Sequence, residues 1–141
     1  MKPSPEIEKL IRDSSASFER GDMSVIERTT SKQPGVVSIG TAADEYERGY
    51  DRITNQLAVE RETTPRLHYR IREIHAFEHG DVGWADGIGT FELDGKTVES
   101  RGTSVYIRED GEWRVVQAHN SIGVPNEHMF DPLFQGQKAV T

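Results

Sequence analysis

The chain has 141 residues, no cysteine and a formal net charge of −7 at pH 7. This length suits one domain with a single core, and the lack of cysteine excludes disulfides, thiolate metal sites and a cysteine nucleophile. The acidic charge, without a basic cluster, argues against nucleic acid or an anionic membrane as a partner. No apolar run approaches the ~18 residues of a membrane span, and no signal-peptide pattern opens the chain. We therefore expect a cytoplasmic protein.

Three helices are predicted in the first half of the chain. Ser4-Pro5-Glu6 is typical of a helix start, and the apolar residues of 7–18 then recur at helical spacing. A short second helix is predicted over residues 23–30. Residues 36–39 form a short strand in this interpretation, and a third helix covers residues 44–60.

The second half is predicted to be strand and turn. Residues 67–77 look extended, and their apolar side chains change sides near Arg72-Glu73, which indicates a β-bulge. Residues 82–93 and 97–108 alternate as strands do, and Asp110-Gly111 leads into a last strand that ends at about Ile122. Helices first and a meandering sheet afterwards predict an α+β domain with its helices on one sheet face.

The two faces of this sheet differ in side-chain size. One face of the 82–93 strand carries mainly glycine and alanine, which suits close approach of helices or an empty space beside them. The other face is broad and partly apolar, and we expect it to join two copies of the chain as a homodimer. Its residues are Trp84, Val105, Trp113, Val115, Gln117 and His119. In the alternative, the helices cover this broad face and the two faces are exchanged.

Two groups of short motifs carry a family resemblance. The first runs from Ile39-Gly40-Thr41 through Glu45-Tyr46 to Arg48-Gly49-Tyr50. The second combines Arg101-Gly102-Thr103, the segment 108–113 and His119-Asn120-Ser121. The chain resembles the nuclear transport factor 2-like superfamily over about residues 4–125, most closely its SnoaL-like domains and the association domain of calcium/calmodulin-dependent kinase.

The resemblance implies a cone-shaped fold, with three N-terminal helices packed on a curved mixed or antiparallel sheet. We expect one SnoaL-like domain over residues 1–141, with a core over 4–125 and a C-terminal tail over 126–141. The tail contains four apolar residues, which we expect to dock across the open end of a cavity or onto the partner subunit. They are Met129, Phe130, Leu133 and Phe134.

Catalytic positions known from this superfamily are mostly empty here. The resemblance places the carboxylate base of ketosteroid isomerase near Gly40 and its two oxyanion donors near Ser14 and Ser104. These residues supply no base and two weaker donors. The arginines of the kinase association-domain pocket would fall near Gly89, Ser104 and Asn120, so a charged clamp is not expected.

A ligand pocket is nevertheless predicted between the helices and the sheet. A mostly apolar cavity with a few hydroxyl groups and one amide suits a small, largely neutral molecule. In the alternative, the same side chains simply fill the core. The predicted lining residues are Phe18, Tyr46, Tyr50, Ser104, Tyr106, Val116, Ala118 and Asn120.

Two other interpretations of the function remain open. If the sheet faces are exchanged, His119 and Asp86 become an acid–base pair of an isomerase, dehydratase or cyclase; in the favoured orientation His119 faces the dimer interface. The kinase resemblance also allows a non-enzymatic assembly domain. We expect no cofactor and no metal, because His75 and His79 lie ~13 Å apart along a strand.

Overall fold

The computed structural model describes residues 1–132. The helices are α1 (Pro5–Glu19), α2 (Ser24–Thr29) and α3 (Tyr50–Thr63). The strands are β1 (Lys2–Pro3), β2 (Val37–Ile39), β3 (Tyr46–Arg48), β4 (His68–His79), β5 (Val82–Leu93), β6 (Lys96–Glu109) and β7 (Glu112–Ile122). One turn of 3-10 helix follows at Asn126–His128.

All these strands belong to one sheet in the order β1-β4-β5-β6-β7-β2-β3. Strands β4 to β7 form a continuous antiparallel meander, and β2 adds to β7 in parallel. Three helices on this curved, mixed sheet confirm the predicted α+β fold. None of the helices within residues 1–132 has the length and apolar content needed to cross a membrane.

Local sequence signals account for the start of α1 and for two tight turns. The Ser4 hydroxyl accepts a hydrogen bond from the Ile7 N–H at 3.4 Å, as an N-cap does, and Pro5 opens the helix. Asp94-Gly95 and Asp110-Gly111 both adopt positive φ angles, which the hairpin turns of this type require. The bulge expected near Arg72-Glu73 is also present, as a register shift between Ile71 and Glu73.

The predicted third helix begins later than expected. Residues 46–48 form β3, which pairs antiparallel with β2, and α3 starts only at Tyr50. Gly49 is the N-cap, with φ 96° and ψ 147°, and its N–H donates to the Val36 carbonyl at 3.0 Å. Because residues with a Cβ rarely adopt this backbone conformation, Gly49 separates strand from helix.

The glycine and alanine face of β5 lies against the helices, as predicted. A Cβ at Gly83 would overlap the Cδ1 atom of Ile7 on α1. Ala85 joins Ile7 and Tyr106 in the main apolar cluster. Trp84 points to the opposite face, where its ring stacks with Phe77 at 6.5 Å between centroids.

The prediction that Trp113 and Val115 face outward was wrong. Trp113 is only 4% exposed and belongs to the apolar cluster beneath α1, with Val115 packed against that cluster. The cause is a bulge in β7: Tyr106 pairs with Val115, whereas Val105 pairs with Gln117. One surplus residue therefore shifts the alternation, so that Gln117 and His119 share the Trp84 face while Trp113 and Val115 do not.

Part of the C-terminal tail lies in the described region. Met129 is 50% exposed and Phe130 is 71% exposed. Leu133 and Phe134 lie outside the described residues. Docking of the tail therefore stays a prediction.

Candidate functional site

A cavity of about 280 Å³ lies between the three helices and the inner face of the sheet. Its walls are predominantly aliphatic, and every helix and each of the strands β2, β4, β5, β6 and β7 contributes to them. The aliphatic lining residues are Leu10, Ile11, Ile26, Val36, Val37, Ile53, Leu57, Ile71, Ile74 and Val115. Short side chains on β5 leave this space open, because glycine and alanine occupy its inner positions.

Four of the predicted lining residues meet at this cavity. Ser104 and Tyr106 reach it from β6, and Ala118 and Asn120 reach it from β7. Ser104 pairs in register with Ala118 across the two strands. The simple alternation of β6, and of β7 beyond its bulge, was enough to predict this group.

The other four predicted residues do not line the cavity. Val116 lies at the bulge, so Val115 lines the cavity instead. The ring of Phe18 lies under the Arg61 guanidinium, 5.4 Å from ring centroid to Cζ. Tyr46 is on the short edge strand β3 and is 51% exposed.

The fourth, Tyr50, is held at the start of α3. Its hydroxyl donates to the Glu27 carbonyl at 3.0 Å, and the Lys32 ammonium lies 4.9 Å from the centre of its ring. Burial raises the pKa of the Tyr50 hydroxyl, and the negative charges of Glu27 and Asp51 add to this. Its position follows from the late start of α3, which turns this side chain toward α2.

Two hydroxyl groups form a pair inside the cavity. The Ser104 hydroxyl donates to the Tyr106 hydroxyl oxygen at 2.9 Å. The Tyr106 side chain is 4% exposed, and burial raises its pKa to about 12 although the bond from Ser104 acts in the opposite direction. Tyr106 therefore stays protonated at neutral pH and acts as a neutral hydrogen-bonding group.

Two inner-face glycines make room for polar side chains. A Cβ at Gly102 would lie 2.6 Å from Oδ1 of Asn120, and a Cβ at Gly89 would overlap the Tyr69 hydroxyl. Tyr69 and Asn120 both line the cavity. The sequence indicated the space at Gly89 through the small residues at every second position of β5, but it gave no such signal for Gly102 on β6.

A carboxylate occupies the position where the family resemblance gave only Gly40. A Cβ at Gly40 would overlap the carboxylate of Glu45, which folds back over it from the turn between β2 and β3. On α3, Glu60 faces this region, and its pKa is raised first by burial and then by the negative charge of Glu45. The sequence prediction missed this pair because it placed Glu45 in the third helix, whereas the residue lies in the turn between β2 and β3.

His119 and Asp86 lie on the outer face of the sheet. Both pair in register with Thr103, one from each side, so β6 separates them by about two strand spacings, ~9.6 Å. They line a shallow depression there with Arg101 and Ser121, and Asp86 and Thr103 also contribute atoms to the cavity wall. No hydrogen bond joins His119 to Asp86.

The described residues also bear on metal binding. Between residues 1 and 132, histidine, cysteine, aspartate and glutamate side chains do not converge in a group of three or more that could hold an ion. His75 instead lies 3.2 Å from the Glu73 carboxylate on its own strand.

Comparison with known proteins gives one family and many similar folds. The family model described as "SnoaL-like domain" matches residues 7–125. No curated protein sequence matches the chain. Among solved structures, an NTF2-like protein of unknown function from Pseudomonas putida KT2440 is similar, with 19% identity, a TM-score of 0.76, and 86% of this chain and 87% of that chain covered.

Two further structures have the same fold. A candidate dehydratase of the NTF2-like family from Streptomyces avermitilis has 14% identity and a TM-score of 0.75, covering 85% of this chain and 95% of that chain. A candidate calcium/calmodulin-dependent protein kinase II association domain from Xanthomonas campestris has 22% identity and a TM-score of 0.70, covering 89% and 96%. At such identities these likenesses concern the fold and not the activity.

Proposed function

The chain belongs to the family of SnoaL-like domains, and we propose that it binds a small, largely neutral molecule in the cavity between its helices and its sheet. The observation that carries this proposal is the cavity wall. It is mainly aliphatic, no lysine or arginine of the described chain lines it, and its charged residues, Glu73 and Asp86, are exposed to solvent. Its volume of about 280 Å³ is close to the lower end of ligand pockets, ~300 Å³, which favours a compact ligand.

Catalysis in the same cavity is a second candidate, and the observation that favours it is the carboxylate of Glu45 over Gly40. Gly40 and Glu45 are not among the residues that line the cavity, but Ser38, two residues before Gly40, is one of them. The Glu45 carboxylate would therefore accept a proton only from a ligand that extends beyond the β2 end of the cavity. This candidate replaces the pairing of His119 with Asp86, because those side chains do not face the helices.

We also propose that two copies pair through the outer face of the sheet. Phe77, Trp84, Val105 and Gln117 are neighbours in register across β4 to β7, and together they form a mainly apolar stripe. Packing of two sheets face to face would cover this stripe and leave the helix-covered cavities on the outside of the dimer. Trp113 and Val115 are not part of this interface.

Binding can be tested by screening compact neutral aromatic and alicyclic molecules by thermal shift and by NMR. A ligand at one hundred times its Kd stabilises the folded protein by ~2.7 kcal/mol, so true ligands raise the melting temperature measurably. Ala118→Leu adds volume inside the cavity and should weaken binding, whereas Ala16→Leu on the exposed side of α1 should not. A screen in which no compound perturbs the resonances of cavity residues would refute the proposal.

A further inference from the structure

A groove separate from the cavity lies between α1, α2 and the turn that joins β6 to β7. It has a volume of about 240 Å³ and shares only Leu10 and Thr29 with the lining of the cavity. Its apolar contributors are Leu10, Val25 and Trp113, and most of its other residues are charged. The charged residues are Glu6, Lys9, Asp13, Arg28, Glu112 and Arg114.

Trp113 brings an unused hydrogen-bond donor to this groove. The residue is 4% exposed, and its indole Nε1 has no hydrogen-bond partner within residues 1–132. The Cζ3 edge of the ring lies toward Gly83, where an added Cβ would be 3.5 Å away. Nε1 is on the opposite side of the indole from Cζ3, and Trp113 lines the groove but not the cavity, so the N–H lies on the groove side. A buried donor without an acceptor costs ~1–3 kcal/mol, which favours a ligand that supplies one.

Arg28 supplies a positive charge that the groove does not neutralise. Each acidic side chain of the groove already forms an ion pair with a basic one. The pairs are Glu6 with Arg108, Asp13 with Lys9, and Glu112 with Arg114. The exposed Arg28 guanidinium forms no ion pair with any described residue. An anion in the groove therefore finds one cation that is still available, and a carboxylate has two oxygens with which to accept from two donors.

We infer that this groove binds a small carboxylate with an apolar body, with one oxygen accepting from the Trp113 indole N–H and the other from the Arg28 guanidinium. The apolar part of the ligand contacts Leu10 and Val25. The groove is smaller than the ~300 Å³ at the lower end of ligand pockets, so the ligand is about the size of one aromatic ring.

Entry of this ligand requires a side chain of the groove to turn aside, because Nε1 is shielded from solvent. Lys9 is free to do so, since its side chain is 76% exposed and is held only by its ion pair with Asp13 on the next turn of α1. The inference is independent of ligand binding in the cavity, because the two sites are lined by different polar and charged groups.

The test titrates benzoate into ¹⁵N-labelled protein and follows the indole N–H resonances by NMR. The chain has two tryptophans, and Trp84→Phe identifies the resonance of Trp113 by removing the other one. We expect benzoate to move the Trp113 resonance downfield to a saturating value, as a new hydrogen bond does. The Trp84 resonance should stay in place, because Trp84 is on the opposite face of the sheet.

The charge of the ligand is tested with benzamide, which has the shape of benzoate and a carbonyl oxygen but no charge. Arg28→Gln should weaken benzoate roughly two- to fivefold, as loss of an exposed ion pair does, and leave benzamide unchanged. Arg12→Gln is the matched control. Arg12 is an exposed residue of α1 that pairs with Glu8 at 3.2 Å outside the groove, so this variant changes the net charge equally.

Two results would overturn the inference. The first is a Trp113 resonance that benzoate does not move, or moves without saturation. The second is equal weakening of benzoate by Arg28→Gln and Arg12→Gln, because the effect would then come from net charge and not from a contact. Neither result bears on binding in the cavity, since both are measured at the groove.

Discussion

At the residue scale, helix α1 packs so closely on the sheet at Gly83 that no side chain fits between them. A Cβ there would overlap Cδ1 of Ile7 and lie 3.1 Å from the Phe77 carbonyl oxygen. Ile7 is fully buried, so it cannot move aside easily. We expect Gly83→Ala to lower the free energy of unfolding by ~1–3 kcal/mol, as overpacking in a core does. Urea denaturation measures this.

The contact itself can be tested with a second substitution. Ile7→Val removes the Cδ1 atom and costs ~0.5–1.5 kcal/mol alone. The double variant should lose less free energy of unfolding than the two single variants lose together, because the shorter valine side chain relieves the overlap. Gly123→Ala is the control, since its Cβ would meet only Arg101 atoms at 3.8 Å. Strict additivity in the cycle would show that Ile7 is not the obstacle.

Trp113 is also best understood at the residue scale, because its side chain is buried with a polar group that has no partner among the described residues. Its indole nitrogen is buried without a hydrogen-bond partner in the described chain. The Arg108 guanidinium lies 4.1 Å from the indole ring centre and also forms ion pairs with Glu6 and Glu78. A cation held over the ring face offsets part of the cost of the unsatisfied donor.

At the scale of elements, Glu60 on α3 lies near the negative charge of Glu45 in the turn between β2 and β3. Its pKa is raised by burial and by Glu45, so the folded state binds its proton more tightly than the unfolded state, for which the ordinary value is 4.5. The protonated Glu60 therefore contributes its whole share of stability below pH 4.5, and this contribution is lost as the pH rises through the pKa of the folded state. We expect Glu60→Gln to be more stable than the wild type at pH 7 and equal to it at about pH 4.

Thermal unfolding across this pH range measures the difference. Glu62→Gln on the exposed side of the same helix should leave the pH profile of the wild type unchanged. Glu45→Gln should give part of the extra stability of Glu60→Gln at pH 7, because it removes the negative charge that is the second cause of the raised Glu60 pKa. A wild-type profile that rises steadily from pH 4 to pH 7 relative to Glu60→Gln would contradict the assignment.

Most of the elements could be predicted because their signals are local. The capped start of α1 and the aspartate-glycine turns each depend on a few neighbouring residues, and so does the bulge near Arg72. The β2–β3 hairpin was missed because Tyr46 and Arg48 also fit a helical pattern, and only the backbone conformation of Gly49 decides between the two.

The candidate site could be predicted only in part for a related reason. Ser104, Tyr106, Ala118 and Asn120 follow from strand alternation, which holds wherever the strand is regular. Val115 lines the cavity in place of the predicted Val116 because of a bulge in β7, and no residue type near the bulge indicates it. The carboxylate of Glu45 over Gly40 is a contact within the turn between β2 and β3, and it was missed because that turn was predicted to belong partly to a helix.

At the scale of the whole molecule, the outer face of the sheet carries the prediction of a dimer. Trp84 lies in the middle of the apolar stripe, so Trp84→Glu would place a desolvated charge in the interface. In analytical ultracentrifugation, we expect the wild type to have twice the 15.9 kDa mass of one chain and the variant to have the mass of one chain. Val59→Glu, at an exposed position on α3, should keep the mass of the wild type. A monomeric wild type at micromolar concentrations would refute the interface.

The two bulges have a consequence for how the protein can change. Arg72 in β4 and Val116 in β7 are each surplus to the register, so each strand bends there, while every other side chain keeps its side. Deletion of either residue would straighten its strand, and so change the shape of the cavity, without altering the side chains that a ligand contacts. Substitution at Ser104 or Asn120 would change those contacts and leave the shape of the strands as it is. The contour of the hollow and its chemical preferences are thus encoded at separate positions, and the two can evolve independently.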